Sequence, residues 1–413
     1  MTKAKPIWAN ILFFSITAAI TLIGVPLYAW FVGFDLPQIL IAILLLGFAG
    51  MSITMGYHRL WSHRTFDAHP AVRGILAIGG ALAVQNSILH WSSDHREHHK
   101  HVDDDTKDPY SASRGFWYSH IGWMLREYQP DRYYDYANVK DLKKDPIVMW
   151  QHKHYWPLAW GVNLVVTGAL GLIHGDLIGT FLLAGVVRLT VSQHATFLIN
   201  SLAHVWGRQP YSYRNSSRDN PLIAFLTYGE GYHNFHHRFA SDYRNGIRWW
   251  QFDPTKWAIK LLSFVGLTKN LRRYADERIE RAKALLQLNE AKSRFQSFPN
   301  TDQLVQRLQS EYDLLLKRMS EFYSAKKAVL ESRKLANDHG ANATPKSASR
   351  GHHDRFPHPG PLPEGDQERA RRDFHGKRDG DPGELSRRYA EVKAGWRRQR
   401  RHWESLLALP VSG

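Results

Sequence analysis

The first 200 residues of the chain alternate between uncharged apolar runs and polar stretches, and the run lengths decide the reading. Residues 7–31 carry no charged side chain and exceed the roughly 20 residues that a helix needs to cross a bilayer. The run is too long for the apolar part of a signal peptide, and no small-residue cleavage site accompanies it. After the short turn VGFDLP comes a second run, residues 38–55, so the two predict a helical hairpin. Residues 157–173 and 177–198 predict another, closed by His174, Gly175 and Asp176. Between the hairpins, residues 72–89 are apolar but broken by glycines and by Gln85–Asn86. They read as a helix lying on the membrane surface or lining a cavity. Arg188 falls inside the fourth run and is expected to face protein or water.

Beyond Thr255 the pattern changes to that of soluble helix. Leu304, Leu308, Tyr312, Leu315, Met319 and Phe322 recur at steps of three and four, an amphipathic stripe. Phe298–Pro299–Asn300 interrupts the segment, which predicts a helical hairpin or coiled coil over residues 271–335. Residues 337–382 are rich in Pro, Gly and charge and read as a disordered insertion. Residues 384–413 predict a basic amphipathic helix in which Leu385, Tyr389, Val392, Trp396, Trp403 and Leu407 oppose the run Arg397–Arg401. That helix is expected to pack back on the hairpin and bury Trp396 and Trp403. The rival is a helix lying on an anionic inner leaflet. The fold class is therefore all-α: a four-span domain, residues 1–257, and a helical extension, to which the family resemblance given below adds a cytoplasmic helical cap.

Charge adds orientation. Lys and Arg total 54 against 38 Asp and Glu. They are absent from the two short turns but present at Lys3, Lys5 and in the long polar stretches. The positive-inside rule then puts both termini and the middle polar stretch in the cytoplasm of a multi-pass integral membrane protein. Acidic residues interleave with the basic runs of the tail, so no nucleic-acid partner is expected. The chain has no Cys, which excludes disulfides, thiolate zinc sites, cysteine-ligated iron–sulfur clusters and a cysteine nucleophile.

The 23 His residues carry the chemistry. His58 and His63 lie in HRLWSH after the second run. His95, His98 and His99 lie in HREHH after the third apolar segment. His233, His236 and His237 lie in HNFHH, and His204 ends NSLAH. Positions i, i+3 and i+4 share a helix face, so each triple is expected to aim three imidazoles toward one centre. His58 and His63 are about 140° apart on an α-helix, so that pair either straddles a helix end or serves different metals. Nine imidazoles are too many for one ion and suit two. Imidazole binds iron, zinc, copper or nickel.

HRLWSHRTF, HREHH following QN-x4-W, NSLAH and GEGYHNFHHRF together resemble the membrane-bound acyl-CoA desaturases of the stearoyl-CoA (Δ9) group, over residues 7–257. The resemblance implies two iron ions on His58, His63, His95, His98, His99, His204, His233, His236 and His237, with Asn200 reaching the metal through water. It implies that O2 is used to place a cis double bond in a long-chain acyl-CoA. It also implies that Gln85, Trp91 and Thr196 hold the acyl chain kinked. Phe197 stands where the animal enzymes have Trp, Asn86 and Asp94 match residues that bind the CoA head, and Ser93 replaces an Arg. Leu46 and Gly50 correspond to the closed end of the acyl tunnel, Leu46 as a stop with room beside it at Gly50. The chain carries no flavin or haem motif, and His358–Pro359–Gly360–Pro361 departs from a haem signature. The electron donor is thus expected to be a separate protein of ferredoxin, rubredoxin or cytochrome b5 type, served by an NAD(P)H reductase. A desaturase of phospholipid-bound chains or a related di-iron lipid hydroxylase is the alternative. A metal transporter fits less well, because all nine histidines lie at span ends rather than across the spans.

Overall fold

The computed structural model describes residues 4–130, 136–296, 301–341 and 382–408. The chain divides into two compact units, Met1–Ala275 and Asp276–Gly413. Among the described residues, four helices are long and apolar enough to cross a membrane: α1 (Trp8–Phe31), α2 (Leu36–Ser62), and, below, the helices Tyr155–His174 and Leu177–Val205. The turn between α1 and α2 is closed by a reciprocal cap, in which Gln38 N donates to Asp35 Oδ1 and Asp35 N donates to Gln38 Oε1, both at 3.0 Å. This pairing satisfies two of the free N–H groups at the helix start.

The last eleven residues of α2, Ser52–Ser62, follow i→i+5 hydrogen bonding and are all buried. Next come α3 (Pro70–Leu82) and α4 (Ile88–His101), the latter capped by Ser87. The segment read as a single surface or cavity-lining element is thus a short helix, a turn and the start of a second helix. Then follow α5 (Pro146–Lys153), α6 (Tyr155–His174) and α7 (Leu177–Val205). Helices α8 (Pro221–Leu226), α9 (His233–Arg238) and α10 (Pro254–Phe264) complete the cap. Two-residue strands, β1 (Asp67–Ala68) and β2 (Thr268–Lys269), pair antiparallel.

The two turns at the far end from the histidines are tied together. Asp176 accepts hydrogen bonds from Tyr28 Oη and from Gln38 Nε2, both at 2.7 Å. The start of α1 is fixed at the opposite end, where Asn10 Nδ2 donates to the Met124 carbonyl at 2.8 Å. The cap-facing ends of the spans therefore converge on one side.

The second unit contains α11 (Asp276–Gln296), α12 (Asp302–Ala341) and α13 (Pro382–Leu407). Of the stretch read as an insertion, residues 337–341 continue α12, and 342–381 lie outside the described residues. Leu288 and Phe295 of α11, Leu308, Leu315 and Met319 of α12, and Trp396, Trp403 and Leu406 of α13 form one buried cluster. Trp403 Nε1 donates to Gln287 Oε1 at 3.0 Å. The apolar face of α13 is therefore covered by protein, which leaves its arginines, not its tryptophans, facing solvent. Trp403→Ala is expected to destabilise this unit by about 3–5 kcal/mol, the usual range for an aromatic emptied from a core. Limited proteolysis should then cleave the 276–408 region well before the first unit.

Candidate metal centre and acyl cavity

The histidines are delivered by four elements. His58 sits in the i→i+5 part of α2 and His63 just after its end, with His63 N donating to the His58 carbonyl at 3.1 Å. Residues five apart lie near one another on such a helix, so the two rings stand 4.8 Å apart, centroid to centroid. The α-helical expectation of about 140° fails here because the helix is not α-helical. Of the two alternatives, the pair straddles the helix end.

The ring nitrogens form two groups, each within a 4.8 Å span: His58, His63, His95, His99 and His236, and His98, His204, His233 and His237. Neither HxxHH triple points at one centre, which corrects the sequence expectation. His95 and His99 join the first group while His98 joins the second. In the other triple His233 and His237 join the second group while His236 joins the first. The physical reason is angular. Positions i and i+4 nearly eclipse, whereas i+3 falls on the other side of i, about 100° from i+4. Two triples arranged in this crossed manner serve two centres.

The contacts within the groups run through Nε2. His63 to His95 is 2.8 Å, His99 to His236 is 2.9 Å and His58 to His236 is 3.0 Å. His233 lies 3.0 Å from His237 and 3.1 Å from His204, and His98 lies 3.3 Å from His237. Nitrogens at right angles on an ion with bonds of about 2.1 Å would be about 3.0 Å apart.

Groups behind the rings fix several tautomers. His98 Nδ1 donates to Asp108 Oδ1 at 2.9 Å, and Glu230 Oε2 lies 2.8 Å from His58 Nδ1. Ser216 Oγ uses its proton toward Asp103 Oδ1 at 2.6 Å, so it accepts from His204 Nδ1 at 2.8 Å. The His98 and His204 rings then present a bare Nε2 lone pair to the interior, where the neighbours are other imidazole nitrogens. Facing lone pairs repel unless a cation lies between them, so the donor set fits metal ions. Burial, reinforced by neighbouring imidazoles, holds His95, His99, His233, His236 and His237 well below the ordinary histidine pKa. They are neutral, the form that binds metal.

Sequence reasoning missed these supporting carboxylates. Glu230 is buried in an ionic network in which Arg59 Nη2 donates to Glu230 Oε1 at 2.9 Å and Arg59 Nη1 donates to Asp253 at 3.1 Å. Burial alone would raise the Glu230 carboxyl, but His58 and Arg59 outweigh it and hold it below its ordinary value. The available signal was position: Glu230 stands three residues before His233 in GEGYHNFHH.

One cavity of ≈ 340 Å³ reaches the histidines. His58, His95, His98 and His233 line it, as do Gln85, Asn86, Trp91, Asp94, Thr196, Phe197 and Asn200. Gln85 Nε2 donates to Thr196 Oγ1 at 2.9 Å, and the Trp91 ring stacks on His95 at 4.8 Å. Ser93 does not line the cavity; its hydroxyl donates to Asn138 Oδ1 at 2.8 Å. Asp94 lies 3.4 Å from His90 Nε2. His194, outside both groups, pairs with His120 at 3.0 Å.

Gly50 lines the cavity, and the space where its side chain would stand is taken by Tyr228. A Cβ on Gly50 would collide with Cε2 of Tyr228, whose hydroxyl donates to the Leu46 carbonyl at 3.2 Å. Tyr228 holds this position with φ at 57°, a left-handed backbone that aromatic residues rarely adopt. Its ring therefore forms part of the cavity wall where α2 lacks a side chain.

Residues 35–263 match the family described as fatty acid desaturase. The chain is 44% identical over 263 residues to a probable acyl-CoA desaturase of Schizosaccharomyces pombe, covering 62% of this chain and 54% of that protein. It is 44% identical over 266 residues to acyl-CoA desaturase 1 of Saccharomyces cerevisiae, covering 63% and 52%. It is 40% identical over 243 residues to human stearoyl-CoA desaturase 5, covering 57% and 72%. The chain thus spans about half the length of the two yeast proteins. With more than half of its own residues matched and every histidine of the paired clusters inside the matched region, the chain belongs to the fatty acid desaturase family.

Proposed function

We propose that the protein uses O2 to introduce a cis double bond, at the Δ9 position, into a long-chain acyl-CoA held beside two iron ions. The observation that carries this reading is a single cavity, walled by Phe13, Phe14 and Trp160, that runs up to the paired histidine groups. His58, His63, His95, His99 and His236 would hold one ion. His98, His204, His233 and His237 would hold the other, with Asn200 acting through a water. Bound iron supplies the oxidising power needed to remove hydrogen from an unactivated methylene, which no side chain has. The balance is two hydrogen atoms from the acyl chain, two electrons from a separate donor protein, two protons from solvent and one O2, giving the double bond and two waters.

The chain's own residues provide shape and exclusion. The Gln85–Thr196 hydrogen bond and the Trp91 ring narrow the cavity next to the histidines and favour a bent chain there. Aromatic walls keep water from the reacting carbons. Asn86 and Asp94 are the polar groups proposed to meet the CoA end.

The test is expression of the full chain in a host that lacks desaturase activity, with acyl products resolved by mass and bond position. Products two hydrogens lighter than their saturated precursors are expected. Products with an added oxygen would identify a hydroxylase, and unsaturation arising only on intact phospholipid would identify the lipid-linked reading.

Two further outcomes follow. Glu230→Gln should lower metal affinity about 10–100-fold, the usual effect of removing a carboxylate behind a ligating histidine. Competition with a chelator measures it. Orientation is testable because the chain has no Cys. With both termini and the metal centre cytoplasmic, an impermeant maleimide should label Val32→Cys only from the non-cytoplasmic side of the membrane and Lys260→Cys only from the cytoplasmic side. The reverse pattern would invert the topology.

A further inference from the structure

The turn that carries Gln85 is only partly held by its own helix, through Ala83 N to the Gly80 carbonyl and Val84 N to the Ala81 carbonyl, both at 3.1 Å. Helix α3 ends at Leu82, and the backbone passes through Val84 at φ 52° and Asn86 at φ 75° before α4 begins. Two non-glycine residues in the left-handed region persist only where the surroundings over-determine them.

Those surroundings include α6, where the Tyr155 hydroxyl accepts from Asn86 N at 2.8 Å, and α7. Arg188 Nη1 donates to the Leu82 carbonyl at 2.8 Å. Gln193 Nε2 donates to the Val84 carbonyl at 3.4 Å. Thr196 Oγ1 accepts from Gln85 Nε2 at 2.9 Å. Positions 188, 193 and 196 climb α7 as 82, 84 and 85 advance through the turn, so the contacts form a ladder. Its foot is an arginine 1% exposed within an apolar span. Arg188 also donates from Nε to the Ala184 carbonyl at 2.9 Å and from Nη2 to Asn163 Oδ1, while Asn163 Nδ2 donates to the same Leu82 carbonyl at 3.2 Å. Among the described residues no carboxylate pairs with it. A guanidinium in a span is costly, and here all of its bonded partners are neutral. Terminal carbonyls of a short helix can be satisfied by far cheaper groups.

The histidines of α4 have other anchors. Ile88 N, at the start of α4, donates to Gln151 Oε1 at 3.0 Å, and His98 is held by Asp108 at 2.9 Å. The turn that carries Gln85 and the histidines of α4 are thus held by different partners.

We propose that Arg188 and Gln193 are positioning residues that set where the acyl chain bends relative to the histidines, and so which carbon–carbon bond is desaturated. This rests on the desaturase reading above. Arg188→Lys keeps the charge but cannot bridge all three acceptors. Gln193→Leu removes one rung at similar volume. Each full-length variant is expressed in the desaturase-deficient host beside the native chain, and the double-bond position of the products is resolved by mass spectrometry after derivatisation of the bond. The expected result is a severalfold rise in the share of positional isomers neighbouring the native one. A fall in total product with an unchanged isomer ratio would overturn the proposal, because loss of folded protein alone gives that. If Arg188→Lys does not accumulate, an unchanged ratio in Gln193→Leu overturns it equally. A native chain yielding no unsaturated product would instead defeat the desaturase reading, and this inference with it.

Discussion

Alanine at His236 is expected to leave the protein in the membrane without metal at the first histidine group and without product. His236 Nε2 lies 3.0 Å from that of His58 and 2.9 Å from that of His99, so its removal opens the middle of the group rather than its rim. The same loss is expected for His99 in that group and for His98 and His237 in the other. Removing a carboxylate behind a ligand costs about 10–100-fold; removing the ligand itself should cost more. Glu230→Gln therefore serves as the graded comparison. The measurements are iron per chain after purification and unsaturated product per chain. Wild-type-like turnover in two of the four alanine variants would end the two-ion assignment.

How much of this was legible in the sequence depends on the distance over which each feature is encoded. The four apolar helices were legible because a span is a local property, an uncharged run of sufficient length. Their structural ends extend further, to Ser62 and Val205, because the histidine-bearing turns continue the same helices into polar sequence. The histidines were legible by residue type and spacing, and their number alone suggested two centres. The division of each triple between the groups was not legible, because it depends on how α4 and α9 face each other. Nor was the i→i+5 winding of Ser52–Ser62, which brings His63 beside His58. Asp108 and Glu230 become partners only when distant segments close on the histidines. Tyr228 is the clearest such case. Gly50 suggests an open space along α2, and the side chain that fills it comes from a loop in a remote part of the chain.

That filling residue predicts a change in substrate range. If the cavity end at Gly50 limits acyl length, Tyr228→Gly should lengthen the accepted chain. Glycine also relaxes the left-handed backbone at this position, where φ is 57°. One methylene of mismatch at a closed apolar end is worth about 1–3 kcal/mol, or about 10–200-fold in selectivity. The ratio of kcat/KM for a longer against a shorter acyl-CoA should therefore rise at least about tenfold. Tyr228→Phe keeps the ring and loses only the hydrogen bond to the Leu46 carbonyl, so its preference should stay native. Gly50→Ala supplies the converse. Its methyl would collide with the Tyr228 ring and should destabilise the native background, yet be tolerated with Tyr228→Gly. The two substitutions should thus be strongly non-additive. An unaltered chain-length preference in a stable Tyr228→Gly enzyme would place the end of the acyl chain elsewhere and leave Tyr228 as packing against α2 alone.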